Sequence, residues 1–462
     1  MTYKEALVKL KSYGQEHLLA FYDDLAEAGK NRLLDQIQAL DAGRINRLYQ
    51  ELVLDRTLEI EDELSSMKSE TLADLPADER QRLFDIGLSA ISRGEVCAFL
   101  VAGGQGSRLG FEGPKGAYDI GLPSHKSLFQ LQGERLKHIS DRAGFSIPWY
   151  IMTSPLNHQD TVNFFKDHHY FGLDPASLNF FPQGTLPSVD ESGRILLAEP
   201  DQISANPDGS GGCFRAFKES GLLDDVTRRG IKYIFFYGVD NALVRVCDPY
   251  FIGFAIDRDK DIACKAVKKI HPAEKVGVYA YRNGKPSIIE YTELPKELAE
   301  ATDEKNELLY GSANVVTHVI KESFLTRVLE QDPPYHVAHK KVDYIDGSGQ
   351  KIKPVSPNAY KFEALYFDLF KFADDLSILN VAREEEFSPV KNFDGVDSKD
   401  TAREMFLALC TGWVEDLGIQ TSKSIEISPL LSIYGDDLDK AEMIKLVSQT
   451  TSGYIAPPQR EQ

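Results

Sequence analysis

FLVAGGQGSRLGFEGPKG, residues 99 to 116, closes an apolar run and opens a glycine-rich loop. The run, Val96 to Ala102, stops at Gly103-Gly104-Gln105-Gly106, and six glycines fall between Gly103 and Gly116. A buried strand feeding such a loop brings backbone N–H groups close to a phosphate. Two better-known glycine motifs do not fit. The dinucleotide fingerprint needs G-x-G-x-x-G running straight into a helix. Gly104 and Gly106 satisfy it, but the next glycine, Gly110, comes one residue late, and Gly113, Pro114 and Gly116 oppose an immediate helix. A Walker A loop needs Gly-Lys-Ser/Thr, whereas Lys115 stands between Pro114 and Gly116. What remains is a long open loop with two fixed cations, Arg108 and Lys115, beside glycine-exposed amides. That combination suits a nucleoside triphosphate.

The chain has 462 residues, 42% hydrophobic and 27% charged, which predicts two or three subdomains of a globular protein. Its 52 basic and 71 acidic side chains give a formal net charge of −19. This balance disfavours a nucleic-acid or anionic-membrane surface. Any phosphate site must therefore be a local basic island in an acidic protein. The five cysteines, Cys97, Cys213, Cys247, Cys264 and Cys410, form no C-x-x-C pair and read as core thiols in a reducing compartment. No apolar run approaches the ~18 residues of a membrane span, and the N-terminus is polar. The expectation is a cytoplasmic protein with no evident protein partner.

Residues 1–94 show helical periodicity through Leu7, Leu10, Leu18, Leu33, Ile37 and Leu48 and are read as a helical segment packed on the core, with a charged loop near Glu61 to Ser69. From Val96 the pattern alternates strand, turn and helix. Ser127 caps a predicted helix that Gly144 ends. Short strands are expected at Trp149 to Met152 and Leu178 to Phe181. IKYIFFY, residues 231 to 237, is a nearly continuous apolar strand, as expected where both sheet faces are covered. This alternation predicts an α/β fold built on a mostly parallel, doubly wound, Rossmann-like sheet over residues 95–380. A hairpin turns at Asn283-Gly284, residues 320 to about 375 mix helix and loop, and a small α+β domain occupies 381–462.

In an open α/β sheet, ligands bind beyond the carboxyl ends of the strands. Gly103 marks one such end and Asp240, after IKYIFFYGVD, another; a carboxylate there can hold Mg²⁺ against phosphates. The turn Pro207 to Gly212, PDGSGG, opens a predicted helix and offers further backbone donors. Lys361, in NAYKFEALYF, is read on a helix, and Lys391 lies in EEEFSPVKN after a strand-like ILNVAR. His336 and His339 have permissive metal spacing but no recognisable third ligand. No nucleophile elbow or Cys/His signature is present, which fits chemistry done by positioning and charge neutralisation.

Taken together, these segments resemble the UDP-N-acetylhexosamine pyrophosphorylase family, within the UDP-sugar pyrophosphorylases. The resemblance is carried by LVAGGQGSRLGFEGPKGAYDIGLPSHKSLFQLQ, PWYIMTS, FFPQGTLP, PDGSGG, GVDN, CDPYFIGF, IIEYTEL, HVAHKK, EEEFSPVKN and EISPL, and spans about residues 90 to 432. It implies a nucleotidyltransferase core of the nucleotide-diphospho-sugar transferase type. The implied reaction joins UTP and an N-acetylhexosamine 1-phosphate, most readily N-acetylglucosamine 1-phosphate, and releases pyrophosphate. By the same resemblance Ala102, Gly103 and Gly104 present backbone to the uridine, and Gln183 and Gly209 contact the uracil. Arg108 and Lys115 neutralise the departing phosphates. Asp240 holds Mg²⁺, Lys361 the UTP phosphates and Lys391 the sugar phosphate. Glu290, Tyr291 and Asn314 face the sugar.

The sequence departs from the family pattern mainly on the sugar side. Ser107 stands for the usual threonine. Ser210 stands between Gly209 and Gly211 where the family usually has a sugar-contacting asparagine, and Gly311-Ser312-Ala313 precedes Asn314 where Asn-Ala-Gly is common. UDP-glucose or UDP-galactose synthesis, or a nucleotide-sugar-binding protein without catalysis, are the alternatives.

Overall fold

The computed structural model describes residues 1–55, 62–330 and 334–457. It divides into two compact units, and the cuts follow neither residue 94 nor residue 380. The larger unit comprises Glu63–Pro182, Phe217–Glu330 and Leu369–Gln462; the smaller comprises Met1–Asp62, Gln183–Ala216 and Gln331–Asp368. Both the N-terminal helical region and the nucleotidyltransferase region are thus shared between units, and the C-terminal segment belongs to the larger one.

An 11-stranded sheet organises the larger unit. Its strands are β1 (Leu64–Ser66), β2 (Glu70–Thr71), β3 (Val96–Val101), β4 (Trp149–Thr153), β5 (Leu178–Pro182), β6 (Tyr233–Gly238), β7 (Ile262–Lys268), β8 (Val278–Arg282), β9 (Lys285–Ile289), β10 (Ser312–Lys321) and β11 (Leu376–Val381). The order along the sheet is β2-β11-β7-β10-β6-β3-β4-β5, with β8 pairing β1, β9 and β10 at one side. Along that order neighbours are parallel except at β10, which runs antiparallel to both β6 and β7, while β8 pairs antiparallel with β1, β9 and β10. Helices cover both faces of the inner strands, so Val96 to Leu100 and Ile234 to Tyr237 are wholly buried and read as unbroken apolar runs. The Asn283-Gly284 hairpin forms as expected, both residues at positive φ, with Arg282 paired to Lys285. The expected loop around Glu61 to Ser69 contains β1; Glu61 itself lies outside the described residues.

Chain direction sets the position of the site. From β3 the chain moves to β4 and β5 on one side, and β6 lies on the other. Strand order therefore reverses between β3 and β6, and such a switch point leaves a crevice beyond the carboxyl ends of the two strands. The helix Leu128–Ala143 starts where Ser127 accepts the Gln130 N–H and stops at Gly144 in the left-handed region, as its sequence predicts. Among the described residues no helix is long and apolar enough to cross a membrane.

The smaller unit packs the helices Tyr3–Lys11, Glu27–Ala39 and Ala42–Tyr49 around Leu10, Leu33, Ile37 and Ile45, with Val189, Ile195 and Phe362 in the same core. A three-stranded antiparallel sheet has Ala359–Glu363 in the middle, flanked by His336–Lys340 and Val189–Asp190. Strands, and not helix and loop, therefore occupy much of residues 334 to 363.

Two helices of the larger unit, Ala77–Ser92 and Pro249–Arg258, touch through glycines. A Cβ on Gly87 would lie 2.0 Å from the Pro249 carbonyl oxygen, and one on Gly253 would lie 1.8 Å from that of Leu83. Backbone opposes both positions, so no rotamer change can relieve the clash. Gly253→Ala is expected to cost at least about 1–3 kcal/mol of stability, read as a lowered midpoint in circular-dichroism melting; an unchanged midpoint would refute the contact.

Candidate active site

The glycine loop is held by its own backbone. Gly106 N–H donates to Gly113 O (3.0 Å), Lys115 N–H to Gly104 O (3.1 Å) and Phe111 N–H to Gly106 O (3.2 Å). Gln105 and Pro114 are bridged, so the loop doubles back and returns Lys115 towards the end of β3. A residue that sequence reasoning passed over anchors this turn. Buried Asn157, just before the helix His158–Asp167, donates from Nδ2 to the carbonyls of Ala102 (3.1 Å) and Gly104 (3.2 Å). Its Oδ1 accepts the Ser154 N–H at 2.8 Å. Ala102 also spends its N–H on Met152 O (2.8 Å), which leaves half-buried Gly103 and exposed Gly104 at the turn of the loop. A Cβ on Gly104 would meet nothing within 4 Å, so its face is open to a ligand's close approach.

At the end of β6, Asp240 and Asn241 meet a segment about 150 residues later in the chain. Val390 N–H donates to Asp240 O at 2.9 Å and Ala242 N–H to Ser388 O at 3.0 Å. Asn241 Nδ2 donates to Glu386 O at 2.7 Å, while its Oδ1 accepts the N–H groups of Ser388 (2.9 Å) and Leu243 (3.1 Å). This seam delivers Lys391 to the same strand end. Lys391 N–H then donates to Asp397 O (2.6 Å), and its ammonium lies 3.9 Å from the Asp397 carboxylate.

Electrostatics show which groups share the crevice. Burial is the main cause that lowers the Lys115 ammonium; Asp240 opposes the shift, and Lys391 and Arg108 reinforce it. Burial first, then Glu293, raises Glu290, against the pull of Lys391. Burial likewise raises Asp397, with Lys391 and Arg383 opposing and Asp240 and Glu274 assisting. Lys115 is thus in electrostatic reach of Asp240, Lys391 and Arg108, and Lys391 of Glu290 and of Asp397, which had not been singled out in the sequence. Asn314 lies on β10, with its Oδ1 accepting the Val316 N–H (2.9 Å) and 3.0 Å from the Tyr279 hydroxyl. Tyr291 follows β9 and is exposed.

The remaining expected residues belong to the smaller unit. Gln183 is buried. Gly209 has φ +89° and packs so closely that a Cβ would lie 2.3 Å from Ala364 O, so only glycine fits the turn. Ser210 Oγ accepts the Tyr366 N–H at 3.2 Å. Lys361 is on the strand Ala359–Glu363 and not on a helix; its ammonium donates to Asn206 Oδ1 at 2.6 Å. Burial again lowers this lysine, with Glu363 opposing and Lys340 adding. His336 and His339 lie on a strand, where residues three apart face opposite sides. His336 pairs with Asp368 at 3.0 Å and His339 stacks on Tyr360, so neither forms a metal pair with the other.

No group of three or more metal-ligating side chains occurs among the described residues. Mg²⁺ keeps much of its shell as water and substrate phosphate and takes one or two carboxylates from the protein. Asp240, in electrostatic reach of Asp397, fits that donor set.

A glycine loop, converging cations and a carboxylate at the switch point of a mostly parallel sheet define an α/β nucleotidyltransferase. Residues 48–441 match the family model described as UTP–glucose-1-phosphate uridylyltransferase, and the chain belongs to that family. It is 40% identical over 464 residues to UDP-N-acetylglucosamine diphosphorylase 2 of Arabidopsis thaliana, covering 94% of this chain and 91% of the relative. Identity to UDP-N-acetylglucosamine pyrophosphorylase of Saccharomyces cerevisiae is 39% over 454 residues, covering 92% and 94%. The fold superposes on the crystal structure of the uridine diphosphate N-acetylglucosamine pyrophosphorylase from Trypanosoma brucei with a TM-score of 0.83 and 28% identity, covering 98% of this chain and 97% of that one.

Two outcomes follow from this geometry. Asn157→Ala removes two donors to the loop, on the order of 1–3 kcal/mol, and is expected to raise KM for UTP about tenfold in steady-state kinetics. A KM equal to that of the unmodified enzyme would rule out the anchor. Lys115 must be charged to neutralise phosphate, and its folded-state value lies below the ordinary 10.5. Because that value belongs to the free enzyme, kcat/KM should fall as pH rises through it. Lys115→Arg keeps its charge and should move the alkaline limb of the kcat/KM profile to higher pH; a limb that stays in place excludes Lys115 as its source.

Proposed function

We propose that this chain is a uridylyltransferase converting UTP and N-acetylglucosamine 1-phosphate to UDP-N-acetylglucosamine and pyrophosphate. The observation that supports the reading is that the backbone returns Lys115 to the end of β3 and Lys391 to the end of β6, with Lys115 in electrostatic reach of Asp240, Lys391 and Arg108. The names of the relatives similar over nearly the whole chain supply the sugar.

The chemistry is a substitution at the α-phosphorus of UTP. A phosphate oxygen of the sugar phosphate forms the new P–O bond, and the bond to the bridging oxygen breaks. The electron pair leaves with pyrophosphate. The attacking oxygen is already ionised near neutral pH, so no general base is required. Two anions must be brought into line, and the barrier is largely repulsion and orientation. In this reading Arg108 and Lys115 take the charge of the departing phosphates, and Lys391 holds the sugar phosphate. Gly103 and Gly104 admit the nucleotide to the backbone. Glu290, Tyr291 and Asn314 face the sugar. Asp240 would hold Mg²⁺, which would supply further neutralisation of phosphate charge.

The test is pyrophosphate release from UTP and Mg²⁺ with N-acetylglucosamine, N-acetylgalactosamine, glucose and galactose 1-phosphates. N-acetylglucosamine 1-phosphate should give the highest kcat/KM. A preference for glucose 1-phosphate would reassign the sugar, and tight UDP-sugar binding without turnover on any substrate would mark a binding protein. Within the reading, Lys391→Ala should lower kcat/KM for the sugar phosphate by about 10²–10³-fold, as for loss of an oxyanion donor.

A further inference from the structure

Beside the seam that delivers Lys391 lies a buried ionic cluster for which the chemistry above has no use. Lys265, on β7, places its ammonium 2.7 Å from Asp248 Oδ2 and against Glu386 Oε2. Arg245 reaches Glu386 Oε1 at 3.2 Å and Glu385 Oε2 at 2.8 Å. Tyr434 donates to Asp248 Oδ1 at 2.7 Å, and the Arg245 guanidinium lies 4.9 Å from the centre of the Tyr434 ring. The side chains of Lys265, Asp248 and Glu386 are 2%, 1% and 3% exposed, and Arg245 is 8% exposed. Two cations thus face two carboxylates away from water.

Such a cluster is a poor source of stability, because well-packed apolar side chains of similar volume usually serve as well or better. What it does provide is one geometry. Glu386 is the first residue of the segment that ends at Lys391, and the backbone of that segment is pinned at Glu386, Ser388 and Val390 to Asn241, Ala242 and Asp240. The Glu386 carboxylate fixes the start of this lever from two directions, through Lys265 and Arg245. Lys265 also meets the other side of the site. Its carbonyl oxygen is 3.0 Å from the Tyr279 hydroxyl, which is itself 3.0 Å from Asn314 Oδ1. Ala266, the next residue, is paired with Asn314 across the β7–β10 ladder.

We propose that Lys265 and Glu386 are positioning residues for the sugar-phosphate half of the reaction: their buried ion pair sets the location of Lys391. This rests on the assignment of Lys391 to the sugar phosphate. The pair touches no substrate itself. Its effect should therefore appear in the sugar-phosphate parameters and only through Lys391.

The double variant Lys265→Met/Glu386→Gln removes one charge of each sign and leaves Arg245 facing Asp248, so no net charge is stranded in the interior. Its melting midpoint and far-ultraviolet circular dichroism establish that it is folded. Steady-state kinetics with UTP and N-acetylglucosamine 1-phosphate should then show kcat/KM for the sugar phosphate reduced about ten- to a hundredfold, the scale of a misplaced catalytic group. KM for UTP should stay within about twofold, and in a Lys391→Ala background the double variant should cost no more than about a further twofold, the limit for sites that act as one. A folded double variant with unchanged sugar-phosphate kinetics, or an equal loss with and without Lys391, would overturn the proposal while leaving the role of Lys391 intact. Lys391→Ala with full turnover would overturn both. Should the double variant fail to fold, Glu386→Asp keeps the charge and shortens its reach. It should lower kcat/KM for the sugar phosphate at an unchanged KM for UTP, and the absence of that loss would equally refute the positioning role.

Discussion

Repulsion between anions is the constraint from which this architecture follows. A sugar phosphate must approach a triphosphate, and the protein that binds both carries a formal charge of −19. Cations have to be concentrated locally against the field of the whole molecule. The structure does this by sending Arg108, Lys115 and Lys391 to one crevice, and the concentration has a cost when no substrate is bound. Burial and the two neighbouring cations depress Lys115. A lysine whose folded value lies below its unfolded one opposes folding while it is charged. That penalty is complete below the folded value and disappears as pH rises towards 10.5. Phosphate oxygens in the crevice reverse the sign, since a nearby anion favours the charged ammonium. The site is therefore strained electrostatically until it holds its substrates, and part of the binding energy consists of relieving that strain.

Topology explains why the cations can be gathered from distant parts of the chain. Parallel strands all end on the same edge, so loops far apart in sequence emerge side by side. Where the order reverses between β3 and β6, the two loops turn away from each other and leave room for a ligand between them. The antiparallel β10 brings Asn314 into the sheet beside β6 and β7. A uniformly parallel sheet would place a helix crossover at that position, and the seam from Asn241 to the segment 386–391 would have no neighbour on that side of β6.

Much of this was legible in the sequence because burial on both faces leaves an unmistakable signal. Val96 to Ala102 and Ile231 to Tyr237 are apolar without alternation, and glycine or aspartate follows each at the point where the strand must stop. The identity of the loop was legible for the same reason, since Lys115 between Pro114 and Gly116 excludes the commoner phosphate motifs. Lys361 was not. Ala359, Phe362 and Ala364 are buried and Tyr360, Lys361 and Glu363 are half-buried. In so short a stretch that pattern satisfies a helical spacing as readily as a strand, and only pairing with His336–Lys340 decides the matter. Compact-unit boundaries were hidden because each unit is assembled from three separated segments. Asn157 and Asp397 escaped functional notice because an asparagine or aspartate near a turn is ordinary; their importance lies in partners far along the chain.

The choice of asparagine at these anchors has a physical reason. Asn157 donates to the carbonyls of Ala102 and Gly104 while accepting from Ser154. Asn241 donates to Glu386 while accepting from Ser388 and Leu243. Asn314 accepts from the Val316 N–H within its own strand, β10. A carboxamide carries donors and acceptors on one short, neutral group, so a single side chain can bind the carbonyl of one segment and the N–H of another. Aspartate would satisfy only the N–H groups and would set a negative charge beside incoming phosphates. Lysine would satisfy only the carbonyls and would add a positive charge beside Arg108, Lys115 and Lys391. Neutral anchors fix the loops without altering the local field, which leaves the balance of charge in the crevice to Arg108, Lys115, Asp240 and Lys391. Where charge does serve as an anchor, in the pair of Lys265 and Glu386, it is buried, balanced and set behind the seam, where opposite signs cancel before they reach the substrate.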